Sequence, residues 1–295
     1  MSTPATFDSG QFKANTRAAW DNAAPGWDEN TPLLQVWLAE VTDTMLAAAA
    51  IGPGHRVLDI AAGAGDQTIT IARRVGPHGH VLATDLSPGI LRLALRNALQ
   101  AGLDNVQTKV ADAERLDLEG ADYDAAICRL GLMFCPDPLA ALRGTLAALK
   151  PGGRACTLVF STLQANPCMG ILMATALEHA GLTARDPLQP GSLFSLSPPG
   201  RIDTLFDHAG FEDVHTTRVP APMRLPSSQH FLDFIRTSAA PIMQILAPLG
   251  SAAQAAAWQE MGRRLDAFQT PAGWEGPNEL LLTTGRRPLA ELSAP

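Results

Sequence analysis

The sequence has little of what several large classes of protein require. Its four cysteines include no C-x-x-C pair, a pattern typical of reduced, buried thiols rather than of a disulfide framework. Lys and Arg are scattered without a basic run, and the formal net charge is −7, which argues against a surface that binds nucleic-acid phosphates. No apolar run reaches membrane-spanning length. These features predict a protein with no nucleic-acid partner and no membrane span.

The first residues also lack a charged start followed by an apolar core, which is the pattern of a secretory signal. Together with the reduced cysteines, this absence predicts a cytoplasmic protein. Apolar content is plentiful, since hydrophobic residues make up 46% of the 295 positions, enough for a full core. The length allows one large α/β domain, or one domain with a sizeable insertion.

The stretch from Arg56 to Ala72 has the pattern of a strand, a tight turn and a helix. Its apolar run, residues 57–60, is typical of a strand buried on both faces, and a helical pattern follows the turn. Gly63 and Gly65 permit backbone conformations closed to other residues and allow a ligand to approach closely. Free amides at the helix start would offer donors to a polar or anionic group. The stretch therefore predicts a ligand-binding turn, although an ordinary α/β connection has the same pattern.

A nicotinamide dinucleotide is one ligand that uses such a turn. Its fingerprint needs glycine at the first, third and sixth positions. Counted from Gly63, the third position is Gly65, but the sixth is Thr68. An NAD(P)-dependent oxidoreductase therefore stays an alternative with an incomplete motif.

Acidic residues fall at or near the ends of three predicted strands. Asp59 lies in the first strand, Asp85 ends the second, and Asp112 follows the third. Ligands of open α/β sheets bind at the carboxyl ends of the strands. We therefore expect these three carboxylates to lie along one ligand-binding edge.

Asp85 has a more specific prediction because it lies twenty residues after Gly65. A carboxylate at that distance accepts hydrogen bonds from ribose hydroxyls in nucleotide-binding folds. The alternative is a cap for the helix that follows, but Ser87, directly before Pro88, is better placed for capping. The spacing thus favours a ribose contact.

The glycine-rich stretch and the acidic series together resemble the class I S-adenosylmethionine-dependent methyltransferases. Within that class, the chain is similar to the ubiquinone and menaquinone biosynthesis group, methyltransferase types 11 and 25. The matching positions of the glycine-rich motif are Asp59, Ala61, Gly63 and Gly65, with Ala61 where many members have glycine. Three further segments resemble that group: Trp20 to Trp27, Arg129 to Asp137, and Lys150-Pro151-Gly152-Gly153 before a predicted strand.

The resemblance implies that the cofactor is S-adenosylmethionine and the product S-adenosylhomocysteine, with no metal. It assigns Asp85 to the ribose, Leu86 to the adenine face, Asp112 to the adenine amino group and the Ala113 amide to the adenine ring. The full predicted set of cofactor-binding residues is Asp59, Ala61, Gly63, Gly65, Asp85, Leu86, Asp112, Ala113, Cys128, Arg129, Trp20 and Trp27. Three roles stay open for Arg129, namely contact with the cofactor carboxylate, contact with the substrate, or pairing with Asp137.

The predicted fold is α/β, with a Rossmann-like, doubly wound methyltransferase sheet of seven strands whose last strand is antiparallel. Residues 1–50 are predicted to form an N-terminal helical lid, with a break between helices at 22–26. Residues 51–295 would form the S-adenosylmethionine-binding domain. Helical insertions at about 162–199 and 227–272 are predicted to form a cap over the substrate.

Methyl transfer from a sulfonium is a direct displacement that depends on alignment and on the exclusion of water. A base is needed only where the acceptor must lose a proton. His230 is the first candidate and His179 the second, because both lie in the insertions, although surface histidines are common. His208 and His215 fall in predicted core elements and are expected to be structural.

Several subclasses lack their signatures. No Asp/Asn-Pro-Pro-Tyr/Phe follows the fourth strand, which argues against methylation of nucleic-acid bases or of protein glutamine. The end of that strand, Ile127-Cys128-Arg129, has no acid for a Mg²⁺ site. Arsenic methylation would need several converging thiols, and Cys156 lies inside a predicted strand.

The sequence therefore predicts transfer of a methyl group to an oxygen or carbon of a small, fairly apolar molecule, aromatic or quinone-like. The apolar residues of the second insertion, among them Phe231, Phe234 and Trp258, motivate an apolar pocket. The alternatives are an NAD(P)-dependent oxidoreductase and a catalytically silent cofactor-binding subunit. The expected partner is the small-molecule substrate, and a homodimer is left open.

Overall fold

The computed structural model describes residues 8–120, 122–183 and 186–290, so the ends of the predicted lid and domain lie outside the described residues. The strands are β1 (Arg56–Ile60), β2 (His80–Asp85), β3 (Val106–Val110), β4 (Tyr123–Arg129), β5 (Leu149–Phe160), β6 (Glu212–Pro220), β7 (Met223–Leu225), β8 (Gln269–Thr270), β9 (Gly273–Gly276) and β10 (Glu279–Arg286). Seven of them form one sheet in the order β3-β2-β1-β4-β5-β10-β6, and a small sheet has the order β7-β9-β8.

The seven-stranded sheet is parallel except for β10. Leu58 of β1 pairs in parallel with Leu82 of β2 and with Ala126 of β4, whereas β10 runs antiparallel to both β5 and β6. Val57 and Leu58 are both fully buried although their side chains point to opposite faces. Both faces of the sheet are therefore covered, as the apolar run predicted. The predicted doubly wound sheet with an antiparallel last strand is confirmed.

Ten helices are described. They are α1 (Ser9–Glu29), α2 (Thr31–Ala48), α3 (Asp66–Val75), α4 (Pro88–Gln100), α5 (Pro138–Ala148), α6 (Pro167–Ala180), α7 (Arg201–Ala209), α8 (Ser228–Ser238), α9 (Ala240–Leu246) and α10 (Ser251–Leu265). The first strand, α3, the second strand and α4 follow each other as the sequence pattern predicted. This succession brings the start of α3 and the start of α4 to the same edge of the sheet.

The predicted break at residues 22–26 is wrong, because α1 continues through Pro25. A proline inside a helix lacks the amide that would bond the carbonyl four residues earlier. Tertiary contacts hold this segment in place. The Asp21 carboxylate accepts the Gly89 N–H at 2.9 Å, and Gly26 lies so close to Thr237 that a Cβ would meet its carbonyl oxygen at 2.0 Å. Local propensity is overridden by these contacts.

The second insertion has a hydrophobic core of its own. Phe231 of α8 stacks on Trp274 of β9 with ring centroids 4.9 Å apart, and both are almost fully buried. Met261 of α10 and Leu172 of α6 belong to the same buried cluster. The apolar residues that motivated a pocket thus pack largely against each other, α6 and the lid helices.

Candidate functional site

A cavity lies at the carboxyl ends of β1 to β4, beneath α1 and α2. Its volume is about 1120 Å³, a figure that includes space open to solvent. The strand ends contribute residues 60–64, 84–86, 111–114 and 129–131. This is the edge at which open α/β sheets bind their ligands.

The cavity is lined by nine of the residues predicted to bind the cofactor. They are Trp20, Trp27, Ala61, Gly63, Asp85, Leu86, Asp112, Ala113 and Arg129. Their individual roles toward the cofactor stay predictions.

Gly63 and Gly65, the two glycines of the turn, have different structural roles. Gly65 has φ of 90°, and a Cβ there would lie 2.9 Å from Cα of Ala94, so this glycine lets α3 approach α4. Gly63 has φ of 58°, and a Cβ there would meet nothing within 4 Å. Gly63 borders the cavity, and a side chain at this position would fill space that a ligand can use. Ala61 also has a positive φ, 55°, a conformation that favours glycine.

Asp85 faces the cavity from the end of β2. Its Oδ2 accepts the Gly63 N–H at 3.1 Å and its Oδ1 accepts the Ser87 N–H at 3.0 Å. Burial raises the pKa of the Asp85 carboxyl group, and these N–H groups act in the opposite direction. The cap of α4 is Ser87, whose hydroxyl accepts the Ile90 N–H at 3.0 Å. The capping alternative for Asp85 is therefore not what the structure shows.

Asp112 lies on a turn after β3. Its Oδ1 accepts the Glu114 N–H at 3.0 Å, and its Oδ2 lies 2.7 Å from Nζ of Lys13 on α1. Lys13 also donates to the Glu114 carboxylate, whose other oxygen accepts the Asp137 N–H at 2.8 Å. The sequence reasoning missed Lys13 and Glu114, because nothing in the sequence pairs Lys13 with an acid 99 positions later.

Three predicted cofactor residues lie behind the cavity wall rather than in it. Asp59 is fully buried, where its carboxylate accepts the Thr68 hydroxyl at 2.5 Å and the Gln67 side-chain amide. Burial raises the pKa of Asp59 to about 7. Gly65 packs on α4, and Cys128 is a buried thiol whose pKa is raised by burial to about 12. None of these three residues lines the cavity, so a contact with the cofactor stays a prediction for each of them.

Arg129 forms a buried ion pair that the sequence did not indicate. Its guanidinium donates to Asp66 at 2.5 Å and to the Thr42 hydroxyl at 2.8 Å. The two charged side chains are only 7% and 9% exposed. The pairing with Asp137 that was left open is wrong, because the Asp137 side chain accepts the Ala140 N–H and caps α5. Arg129 thus links the N-terminal helix α2 to the first residue of α3 at the cavity wall.

Aromatic rings form the wall that α1 presents to the cavity. Trp20 meets Trp27 and Phe134 edge to face, each at 5.7 Å between ring centroids. Trp27 also contacts Phe234 of α8 at 6.5 Å, and its Nε1 donates to the Ser238 carbonyl at 3.1 Å. Helix α8 therefore packs against the part of α1 that lines the cavity.

The two candidate bases lie away from the cavity. His230 is exposed on α8, and its Nδ1 lies 2.8 Å from the Ser227 hydroxyl. The neighbouring Phe231 faces the core of the insertion instead, since residues next to each other on a helix point in different directions. His179 lies in the last turn of α6 and does not line the cavity either. The expectation that either faces the pocket is wrong.

The residues that the structure describes include no group of three or more His, Cys, Asp or Glu side chains that could hold a metal ion. Within the same ranges, no helix combines the length and apolarity needed to cross a bilayer.

Comparison with known proteins finds a matching family profile and two kinds of relative. A protein-family profile described as a methyltransferase domain matches residues 57–153, from β1 into β5. An uncharacterized protein of Mycobacterium tuberculosis is 28% identical over 286 residues, which are 96% of this chain and all of that protein. The ubiquinone/menaquinone biosynthesis C-methyltransferase UbiE of Ectopseudomonas mendocina is 41% identical over 112 residues. That match covers 38% of this chain and 44% of the relative, less than half of its length.

A solved structure supports the same fold. The Haemonchus contortus phosphoethanolamine N-methyltransferase 2 in complex with S-adenosyl-L-methionine superposes with a TM-score of 0.55 and 16% identity. The alignment covers 88% of this chain and 57% of that one. At this identity, the likeness shows the fold alone.

Proposed function

We propose that this chain, a class I S-adenosylmethionine-dependent methyltransferase, methylates an oxygen or a carbon of a small, fairly apolar molecule with an aromatic or quinone-like ring. The methyl donor follows from the methyltransferase domain at residues 57–153, the similarity to UbiE and the fold. The acceptor is the part that we propose.

The order of the strands orients the cofactor. Asp112, Asp85 and the glycine turn follow each other across β3, β2 and β1, and Arg129 lies one strand further, at the end of β4. We assign the adenine to Asp112, the ribose to Asp85 and the methionine part to the turn around Gly63, where no Cβ intrudes. The acceptor then lies between this turn, Arg129 and the lid.

The observation that carries the acceptor class is the apolar wall on the lid side of the cavity. Trp20, Trp27 and Phe134 supply aromatic faces and edges there, and Leu34 and Leu38 of α2 add aliphatic surface. Walls of this kind bind flat apolar molecules, and a few polar groups then set their orientation. UbiE, which shares the 41% identical segment, is named as a C-methyltransferase of ubiquinone and menaquinone biosynthesis.

The chain's own residues supply alignment and exclusion of water. When bound, S-adenosylmethionine supplies a methyl carbon that its sulfonium makes electrophilic. The lid helices α1 and α2 cover the cavity, and the buried pair of Arg129 and Asp66 fixes its floor. Such positioning accounts for much of the acceleration of a direct displacement. None of the seven histidines lines the cavity, so the proposal uses no histidine base.

The experiment has two stages. Calorimetry first measures binding of S-adenosylhomocysteine, with NAD(H) in a parallel titration. The protein is then incubated with S-adenosylmethionine and a panel of phenols, quinols, amines and thiols, and mass spectrometry detects methylated products. We expect products from phenols or quinols. Methylation of amines or thiols alone would overturn the acceptor class, and binding without turnover on any member would favour the silent subunit.

A further inference from the structure

One contact joins the lid directly to the adenine end of the cavity. Lys13 of α1 places its ammonium between two carboxylates on the turn after β3, 2.7 Å from Asp112 Oδ2 and within hydrogen-bond distance of Glu114. Its side chain is 21% exposed, and those of the two acids are 26% and 9% exposed. The contact is thus partly removed from water, where ion pairs are stronger than at the open surface.

The turn that carries the acids is built independently of the lid. The Glu114 N–H donates to Asp112 at 3.0 Å, and the Arg115 N–H donates to the Asp112 carbonyl at 2.8 Å. Glu114 is also held by the Asp137 N–H. The two carboxylates are therefore held by backbone N–H groups as well as by Lys13.

Other contacts of α1 near the cavity go to different elements. Asp28 pairs with Arg96 at 2.5 Å, and Asp21 accepts from Gly89, so both tie α1 to α4. The aromatic contacts of α1 described above go to the loop after β4 and to α8. Lys13, near the start of α1, ties the helix to the turn after β3. A movement of α1 that uncovers the adenine end must therefore separate Lys13 from Asp112.

We propose that Lys13 is a positioning residue that holds the lid shut over the adenine and sets the rate at which S-adenosylhomocysteine leaves. A carboxylate oxygen has two lone pairs, so Asp112 can accept from the adenine amino group and from Lys13 together. Product release then requires the two ion pairs of Lys13 to break first. This inference rests on the proposed assignment of Asp112 to the adenine.

The test compares Lys13→Met with Lys109→Met. Lys109 lies on β3, donates to the Asp117 carbonyl at 2.7 Å in an exposed position, and its loss changes the net charge equally. Stopped-flow tryptophan fluorescence, with Trp20 and Trp27 in the cavity wall, measures S-adenosylhomocysteine release. We expect release to be faster by about tenfold in Lys13→Met and within about twofold of the parent in Lys109→Met.

Two readouts separate this role from a merely structural one. An open lid lets S-adenosylhomocysteine enter faster as well as leave faster. In Lys13→Met, the affinity for S-adenosylhomocysteine should therefore fall by a smaller factor than the release rate rises. In the parent, release should also accelerate with ionic strength, because salt screens the ion pairs, and Lys13→Met should lose that dependence. A release rate and salt dependence equal to those of Lys109→Met would overturn the proposal.

Asp112→Asn attacks the same contact from the other side. Its amide oxygen still accepts from the adenine amino group, but one of the two carboxylates that hold Lys13 has lost its charge, while Glu114 keeps its ion pair. Release should be faster than in the parent and no faster than in Lys13→Met, and the double variant should add nothing to the effect of Lys13→Met. Release at the parent rate would overturn the proposal, even if Lys13→Met fails to fold.

A separate variant tests the adenine assignment of Asp112 independently of the role of Lys13. Asp112→Ala should weaken S-adenosylhomocysteine binding if Asp112 contacts the adenine. Unchanged affinity would overturn the adenine assignment, and this inference with it. Weakened affinity together with unchanged release in Lys13→Met would overturn the lid contact alone.

Discussion

The two ends of the cavity are held by different kinds of contact. At the end that we assign to the adenosine, the adenosine end, Asp85 and Asp112 accept hydrogen bonds from backbone N–H groups two residues onward, and Asp85 also from the glycine turn. Lys13 adds a distant side-chain contact to Asp112 there. At the end that we assign to the acceptor, the acceptor end, the contacts named next all come from distant segments. Arg129 reaches Asp66 and Thr42, 63 and 87 positions away, and Trp27 reaches the Ser238 carbonyl, 211 positions away.

This difference has a physical consequence. Carboxylates fixed by nearby backbone amides need only a strand end and a turn, so their positions are set once β1, β2, β3 and the turns after these strands have formed. The acceptor end forms only when the lid, the loop after β4 and the second insertion are all in place. We therefore expect mutations at the acceptor end to cost mainly folding stability, and mutations at the adenosine end to cost mainly cofactor affinity.

The largest effect is expected from Arg129→Met. Asp66 would be left in a site where its side chain is only 9% exposed, without the cation that pairs with it. Breaking a buried pair from one side costs about 3–5 kcal/mol of the free energy of unfolding. Urea denaturation measures this loss.

Two further variants test whether the loss of stability in Arg129→Met comes from the buried ion pair. Asp66→Asn combined with Arg129→Met removes both charges and should recover part of the stability. Arg218→Met removes an arginine that is 63% exposed and 4.0 Å from Glu279, and should change stability by less than about 1 kcal/mol. If Arg129→Met were no worse than Arg218→Met, the acceptor end would not depend on its buried pair.

The next largest effect is the pH dependence of stability that comes from Asp59, which is buried behind the cavity wall. Its pKa is about 7 in the folded protein against 3.8 for the unperturbed group. Between these two values the folded state keeps a proton that the unfolded state has lost. The contribution of Asp59 to the free energy of unfolding therefore decreases as pH rises through this window, and is constant above the folded pKa.

Asp59→Asn removes this penalty, so above the folded pKa the variant should be more stable than the parent by on the order of a few kcal/mol. Urea unfolding at a series of pH values measures the difference, with the exposed Asp104→Asn as control. If the free energies of unfolding of Asp59→Asn and of the parent changed with pH in parallel, the raised pKa of Asp59 would be contradicted.

At the adenosine end, Asp85→Ala should weaken S-adenosylhomocysteine binding by about 1–3 kcal/mol, because the ribose hydroxyls lose their acceptor. Gly63 borders the cavity, where water can replace the carboxylate as the acceptor of its N–H, so stability should change less than in Arg129→Met. Calorimetry measures the affinity, with Asp104→Ala as the charge-matched control. An affinity equal to that of the control would remove the ribose assignment.

The same division explains how much could be predicted from the sequence. The first three strands, the turn and the acids at the strand ends follow from short patterns whose contacts are local. Asp85 was correctly placed at the cavity because its spacing from Gly65 is a property of one βαβ unit. Asp59 was misplaced because the pattern gives its strand but not the direction in which its side chain points.

Non-local contacts left no comparable signal. Lys13 belongs to an ordinary helical pattern, and Asp66 reads as the first residue of a helix. Pro25 indicated a break, yet contacts of its neighbours with Gly89 and Thr237 hold α1 continuous. His230 could not be oriented, because the side of α8 that faces the core depends on where Trp274 lies.

The smallest predicted effect tests whether the second insertion matters to the lid. Trp27→Phe keeps an aromatic ring against Trp20 but loses the N–H that bonds the Ser238 carbonyl, at a cost of about 1 kcal/mol in urea denaturation. Trp20→Phe keeps its edge-to-face contacts with Phe134 and serves as control. A larger loss for Trp20→Phe than for Trp27→Phe would mean that the insertion does not hold the lid, and that ring packing over the cavity does.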